Sequence, residues 1–365
     1  MTNSGAASEG TPHPNPLPSG ERGRGEKSLP TGGREPEGKV YGRLHRRLLA
    51  GEFAITAEVV PPRGATLSGI RRIGRHLHDW IDAANITDGQ GAVARMSSWA
   101  GSLALMQSDV EPVMQFSCRD RNRIALQADL LGASALGIPN VLCITGDHPK
   151  FGDHPEAKPV FDFDSIQLLW VARTMRQEKH LLSGQKLSVG PSWFIGAVEN
   201  PSAAPQRFRA ERLGKKVAAG AQFIQTQFVF DVPIVARWMK QVRDLGLDSR
   251  VHVLCGVGPI RSVRALEFLQ SLPGVVIPDH VVRRLRGVPE DQMAAEALKL
   301  CAETIEELRD IPGIRGVHII ASGDDDFIPG VLTRAGIPRR GYGELAENQQ
   351  QAGAVAPAAS ALHGG

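Results

Sequence analysis

Cysteine, an excess of charge and long apolar runs are all scarce in this 365-residue chain, and each scarcity removes a class of function. The four cysteines, at 118, 143, 255 and 301, are widely spaced with no Cys-x-x-Cys pair. That spacing argues against a disulfide framework or a zinc ribbon and fits a reducing, cytoplasmic compartment. Lys and Arg total 42 against 39 for Asp and Glu, and the charges are scattered. Without a basic stripe, nucleic acid is a poor partner, and a small molecule is the better one. No stretch reaches the roughly 18 consecutive apolar residues of a membrane-spanning helix. A basic segment followed by an apolar one is missing at the start, so no secretory signal is read there. What is present is a chain 42% hydrophobic, enough to bury a substantial core.

The two ends differ from the middle. The first 38 residues hold eight Gly and six Pro, with the run Pro12-His13-Pro14-Asn15-Pro16-Leu17-Pro18, and offer too little apolar surface to offset ordering entropy. A proline-rich ligand for a partner domain is the functional alternative. Thr11 to Glu26 also resembles the translated product of a dispersed bacterial repeat, which places the true start further downstream. From Arg339 the chain turns to Ala, Gln and Gly. The expected organisation is a disordered segment over 1–39, a folded unit over 40–337 and a disordered tail over 338–365.

Between these ends, short apolar or alternating runs recur, separated by segments of helical period. Eight strands are expected: Phe53 to Val60, Ala83 to Thr87, Pro112 to Cys118, Asn140 to Thr145, Leu187 to Val198, Phe223 to Phe230, Val251 to Val257 and Gly316 to Ser322. Helices are expected between them, among others over Arg121 to Ala135, Ser165 to Leu181, Pro205 to Ala219 and Val232 to Leu245. This count and size match a (β/α)8 TIM barrel, whose sites lie at the C-terminal strand ends. A doubly wound sheet is the alternative. Period-two reading turns Thr56 and Glu58 inward, and pairs Asn85 with Thr87, Gln115 with Ser117, Thr145 with Asp147, Gln225 with Gln227 and His318 with Ser322. A purely structural barrel fills its interior with Val, Ile and Leu, so polar groups near the strand ends point to a ligand-filled mouth.

Glu58, just before Pro61-Pro62-Arg63, is either a general acid with a pKa raised by burial or a glutamate satisfied by an Arg or a backbone amide. Asp147, in Gly146-Asp147-His148-Pro149, is either an acceptor beside a ring system or a turn aspartate. Asp153-His154 in the following loop shows no recognised metal spacing, and no metal is expected. Gln227 could present a donor and an acceptor to a heterocycle, or belong to a side-chain ladder with Gln225 inside the barrel. Lys216, beside Lys215 at a helix end, is either solvated or a phosphate or ribose contact. Gly89-x-Gly91 lacks the third glycine of a dinucleotide fingerprint.

Together these segments resemble the methylenetetrahydrofolate reductases. The matching features are Ala57-Glu58-Val59-Val60-Pro61-Pro62-Arg63, Ile86-Thr87-Asp88-Gly89 and Thr145-Gly146-Asp147-His148-Pro149. They continue with Lys216-Val217-Ala218-Ala219-Gly220-Ala221, Thr226-Gln227-Phe228-Val229-Phe230-Asp231, Cys255-Gly256-Val257-Gly258-Pro259-Ile260 and Ile277-Pro278. The resemblance spans about residues 50 to 337. It implies a (β/α)8 barrel flavoprotein that passes a hydride from NADH or NADPH to FAD and then to 5,10-methylenetetrahydrofolate, giving 5-methyltetrahydrofolate. By the same resemblance Glu58 is the acid that protonates a folate nitrogen, Asp147 lies near flavin and pterin, and Gln227 contacts folate. Thr87, Ser117 and Lys216 take flavin-shell positions. The chain departs from the family at Thr145, Asp88 and Gln115, where Arg, Tyr and His are frequent, and at Arg209 and Arg212, where Asp and Asn are. Several of those positions hold FAD, which leaves FMN or no flavin as alternatives, with direct hydride transfer to the folate. A folate-binding or electron-transfer subunit of a larger complex is the non-enzymatic alternative. Self-association or a partner subunit is expected.

Overall fold

The computed structural model describes residues 39–272, 274–321 and 326–342. The expected N-terminal disordered segment, apart from Lys39, and the tail beyond Tyr342 lie outside the described residues, as does Ser322. Eight strands form one closed, all-parallel barrel in chain order: β1 (Ala54–Val59), β2 (Ala83–Ile86), β3 (Pro112–Ser117), β4 (Asn140–Ile144), β5 (Phe194–Glu199), β6 (Phe223–Phe228), β7 (His252–Val257) and β8 (Ile314–Ile319). The register of β1 with β8 pairs Thr56 with His318, which closes the sheet on itself.

Local chemistry starts the outer helices where the sequence places polar caps. The Asn122 side chain accepts from the amides of Ile124 and Ala125 ahead of helix Arg123–Ala135. Asp164 and Gln167 form a reciprocal capping box at helix Ser165–Gln177, and Asp231 caps Val232–Asp244. Helix Arg209–Ala219 begins four residues later than expected, after a 3-10 turn at Gln206–Phe208. The fifth strand is much shorter than the expected Leu187 to Val198. Gly190-Pro191 interrupts the run, since proline cannot donate to a ladder, and Lys186 pairs antiparallel with His180 instead.

The short helix Arg43–Leu49 plugs the N-terminal end of the barrel. Its Leu44 and Leu48 pack on the lowest inward layer, which includes Val113, Leu142, Phe194, Phe223 and Leu254. Glu111 accepts from the amides of Arg43 and Leu44 and from Asn140 Nδ2 at 2.7 Å, so a carboxylate sits at the plug helix's positive end. Residues 338–342, counted with the tail from sequence, are packed here too. Asp82 gathers the Arg47 guanidinium at 2.9 Å, the Arg340 guanidinium at 3.1 Å and the Tyr342 hydroxyl. The apolar plug leaves the opposite, C-terminal end as the open one.

Candidate functional site

Above the apolar floor lies a buried polar layer. Asn85 Nδ2 donates to Gln225 Oε1 at 2.6 Å, and Gln225 Nε2 donates to Asn85 Oδ1 at 2.9 Å and Thr56 Oγ1 at 3.1 Å. Thr56 Oγ1 meets His318 Nδ1 at 3.0 Å, and burial lowers the His318 pKa to about 3, so the ring is neutral. Each amide in this layer has partners, which is what makes its burial tolerable. Gln225 therefore belongs to the ladder, while the next inward residues of the same strands face the mouth.

Glu58 is the fifth residue of β1, two above Thr56 on the inward face. Burial raises its carboxyl to about 7, and the hydrogen bond from Gln90 Nε2 to Oε1, 3.0 Å long, restrains that rise. No arginine or backbone amide satisfies it among the described residues; its partner is an uncharged amide. The group is poised to exchange a proton near neutrality.

Gln90 is a residue that sequence reasoning passed over. Its signal was the pair Gly89 and Gly91, set aside as an incomplete dinucleotide motif. Both glycines adopt left-handed conformations, φ +60° and +68°, which turn the loop so that the intervening glutamine reaches Glu58. The loop is held by its neighbour: Gly91 N donates to Asp147 Oδ2 at 3.1 Å, and Ala94 N to Asp153 Oδ1 at 3.0 Å. The carboxylates of the fourth strand's loop are thus spent on amides of the second strand's loop. Asp147 is exposed at the mouth, and the structure brings it to the loop that carries Gln90. Thr145, expected to share a face with Asp147, instead accepts from Ser165 N at the start of the next helix, because β4 ends one residue earlier.

Gln227 stands at a break in register between β6 and β7. Thr226 Oγ1 accepts from Gly256 N at 2.8 Å in place of a ladder carbonyl, and Gln227 Oε1 folds back to accept from Phe228 N at 3.0 Å. Any Cβ at position 256 would collide with the Thr226 carbonyl, so glycine is required for the two strands to approach. The Gln227 amide nitrogen has no partner among the described residues and is the end free to meet a ligand. Val198, on the inward face of β5, is 40% exposed and forms an apolar wall of the same mouth.

The three side chains that the resemblance places around a flavin are in three different states. Thr87 Oγ1 is buried without a hydrogen-bond partner, the mark of a polar group awaiting a ligand. Ser117 is buried, its Oγ accepts from Arg119 N at 3.2 Å, and its own amide donates to Asp88. Lys216 is only 4% exposed, and its ammonium lies 2.7 Å from Glu199 Oε2 and against the Val198 carbonyl. Burial pulls the Lys216 pKa down while Glu199 opposes that shift. Asp88, where the family often has Tyr, is paired with Arg121. Thr87 Oγ1 has no partner and the Ser117 hydroxyl accepts while its own proton has no acceptor among the described residues, so of the three only Lys216, held by Glu199, is already committed within the protein.

The structure thus defines a (β/α)8 barrel whose C-terminal mouth holds the Glu58 carboxyl against an uncharged amide, the class in which strand-end residues carry the chemistry. The chain belongs to the methylenetetrahydrofolate reductase family, whose model matches residues 43–336. It is 23% identical over 262 residues to the probable methylenetetrahydrofolate reductase (NADPH) of Caenorhabditis elegans, covering 71% of this chain and 37% of that one. It is 25% identical over 239 residues to methylenetetrahydrofolate reductase 2 of Saccharomyces cerevisiae, covering 63% and 37%. Against methylenetetrahydrofolate reductase (NADH) 1 of Arabidopsis thaliana the identity is 22%, covering 82% and 51%. The match therefore spans between about two fifths and one half of these relatives. Among solved structures, a Clostridium thermocellum protein that binds two copies of 5-methyl-5,6,7,8-tetrahydrofolic acid shares the fold, with a TM-score of 0.58 at 16% identity, covering 80% of this chain and 97% of that one.

Proposed function

We propose that this chain reduces 5,10-methylenetetrahydrofolate to 5-methyltetrahydrofolate with a hydride drawn from a reduced nicotinamide, and that Glu58 supplies the proton. The observation that carries the reading is the Glu58 carboxyl, set inside the mouth on an uncharged partner with its pKa near 7. Protonation of a folate nitrogen by Glu58 breaks its bond to the bridging carbon and leaves an iminium. The hydride then adds to that carbon, and the product methyl carries the nicotinamide's two electrons. Membership of the family and the names of its relatives, given as NADPH- and NADH-dependent, support both the substrate and the donor class. The Clostridium thermocellum protein's ligand is the product of this reaction.

In this reading Gln90 holds Glu58 toward the substrate, Gln227 offers its amide nitrogen to the pterin, and Asp147 fixes the loop that carries Gln90. No step is routed through flavin, because the Lys216 ammonium is already held by Glu199. Hydride transfer direct from the nicotinamide is the primary form of the proposal. The orphaned Thr87 hydroxyl favours a second form, in which FAD or FMN occupies that side of the mouth and relays the hydride.

The test is the purified protein's visible spectrum followed by anaerobic assay. Oxidation of NADH or NADPH dependent on methylenetetrahydrofolate, by protein without flavin bands, is the expected result. Activity only in protein with flavin bands selects the second form. Absence of turnover with either nicotinamide, with and without added flavin, refutes both.

A further inference from the structure

On the reading that hydride passes directly from nicotinamide to folate, we propose that Gln115, with Thr87 and Ser117 beside it, forms the subsite that holds the carboxamide of the nicotinamide donor on the β2–β3 wall of the mouth. Alternation fixes where Gln115 points. Met114 and Phe116 pack in the core beneath the helices and Val113 packs in the apolar floor, so Gln115 faces the barrel interior one level above that floor. Ile86 of β2 is in register with Met114, which makes Thr87 and Gln115 neighbours. Ser117 is the next inward residue of β3.

Buried amides are rarely left unpaired, and the rest of this interior obeys that rule. Thr56, Asn85, Gln225 and His318 are bonded to one another. Gln115 is only 8% exposed, yet its side-chain amide has no hydrogen bond among the described residues. Beside it Thr87 Oγ1 is buried without a partner, and the Ser117 hydroxyl accepts from Arg119 N while its own proton has no acceptor among the described residues. Three adjacent side chains on one wall therefore carry unused donors and acceptors, and a ligand that supplies the complement offsets the penalty of burying them. The complement of a planar amide is a second one, donor to acceptor on both sides. That arrangement already exists in the layer itself, where Asn85 and Gln225 pair reciprocally at 2.6 and 2.9 Å. A carboxamide on Gln115 repeats it, with the two hydroxyls at its flank. The wall also suits the donor ring. Because Asn85 meets Gln225 across the interior, β2 faces β6, and a pterin on Gln227 of β6 lies opposite a ring held from the β2–β3 side. Hydride transfer requires that opposition, with the reacting atoms about 3–3.5 Å apart.

Binding and turnover are measured separately on the full chain. NAD+ and NADP+ are titrated by calorimetry into wild type and Gln115→Ala, and KM is taken for the reduced dinucleotide and for methylenetetrahydrofolate. Gln115→Ala is expected to weaken binding of the dinucleotide that wild type prefers, and to raise its KM, about tenfold, with the folate KM within about twofold of wild type. The acetylpyridine analogue of that dinucleotide, in which a methyl replaces the carboxamide NH2, is expected to bind wild type about tenfold more weakly than its parent and Gln115→Ala about as well as the parent does. Should Gln115→Ala fail to fold, the analogue's binding to wild type decides. No binding of either dinucleotide to wild type, binding indifferent to both changes, a rise in the folate KM instead, or loss of a bound flavin from the variant overturns the proposal. Wild type that binds the dinucleotide through Gln115 but reduces no folate refutes the reaction and leaves the subsite standing.

Discussion

Replacing Glu58 by Gln keeps the size and polarity of the side chain and removes its proton, which separates chemistry from architecture. Gln90 can still donate to the new amide oxygen, so the 3.0 Å contact survives the change. If Glu58 protonates the folate, the rate of methylenetetrahydrofolate reduction falls by about 10²–10⁴, the usual share of a positioned acid, or about 3–5 kcal/mol of barrel-held transition-state stabilisation. Stability moves the other way. Burial has moved this carboxyl from 4.5 to about 7, so the folded state binds its proton more tightly than the unfolded chain. The sign follows from linkage: wild type has this stabilisation in full below about pH 4.5 and loses it as pH rises through about 7. Full desolvation sets the loss at about 3 kcal/mol, and the water-facing side of the mouth makes it smaller. Glu58→Gln should therefore match wild type in urea denaturation at pH 4.5 and exceed it at pH 8. Single-turnover kinetics measure the first effect and denaturation at two pH values the second. A variant that is both inactive and less stable at pH 8 would refute the argument, because it would make Glu58 a structural residue.

Gln90→Ala removes the hydrogen bond that restrains the Glu58 pKa, so the alkaline limb of the pH–rate profile should move to higher pH with folding intact; an unmoved limb disconnects Gln90 from Glu58. Lys216→Ala leaves Glu199 buried with only Arg209, 3.7 Å away, for compensation, and should cost about 3 kcal/mol in denaturant titration. Adding Glu199→Gln should recover part of that loss, whereas a lysine acting only on a cofactor would leave apoprotein stability unchanged. His318, His45 and His252 all have lowered pKa values in the folded state, about 3, 4 and 4, so their stabilisation is complete above about pH 6.5 and lost as pH falls toward those values. In the Glu58→Gln background, which removes the opposing gain of the Glu58 carboxyl over the same range, an unfolding midpoint flat between pH 7 and 5 would contradict their burial as neutral rings.

Much of this architecture could be read from period and composition, because strand alternation and helix period are local. Glu58, Asn85 and Gln115 fell on the inward face from the alternation alone. What escaped was decided by partners distant in sequence. Gln225 looked as ligand-like as Gln227, and only barrel closure, which brings Asn85 across from β6, makes one a ladder member and leaves the other at the mouth. Lys216 read as a solvated end or a phosphate contact, since Glu199 was invisible as its partner until the strand and the following helix were packed together. Arg340 and Tyr342 were counted with a disordered tail because three residues of context carry no sign of Asp82, 258 and 260 positions earlier.

The order of layers along the barrel explains why one end can be reactive while the whole remains folded. At the bottom, the plug and Phe194, Phe223 and Leu254 supply apolar burial. In the middle, the Asn85–Gln225 pair ties β2 to β6 across the interior and excludes an alternative packing, since a shifted register would strand two buried amides. A strained or half-ionised group at the top then perturbs only the loops above that layer. The loops are bound to one another rather than to the core: Asp147 and Asp153 both accept amides from the 89–94 loop. Both contacts are made outside the strands, beside the Gln90 amide that partners Glu58. The loop that carries Gln90 is thus held by two hydrogen bonds above a register fixed by the buried Asn85–Gln225 pair.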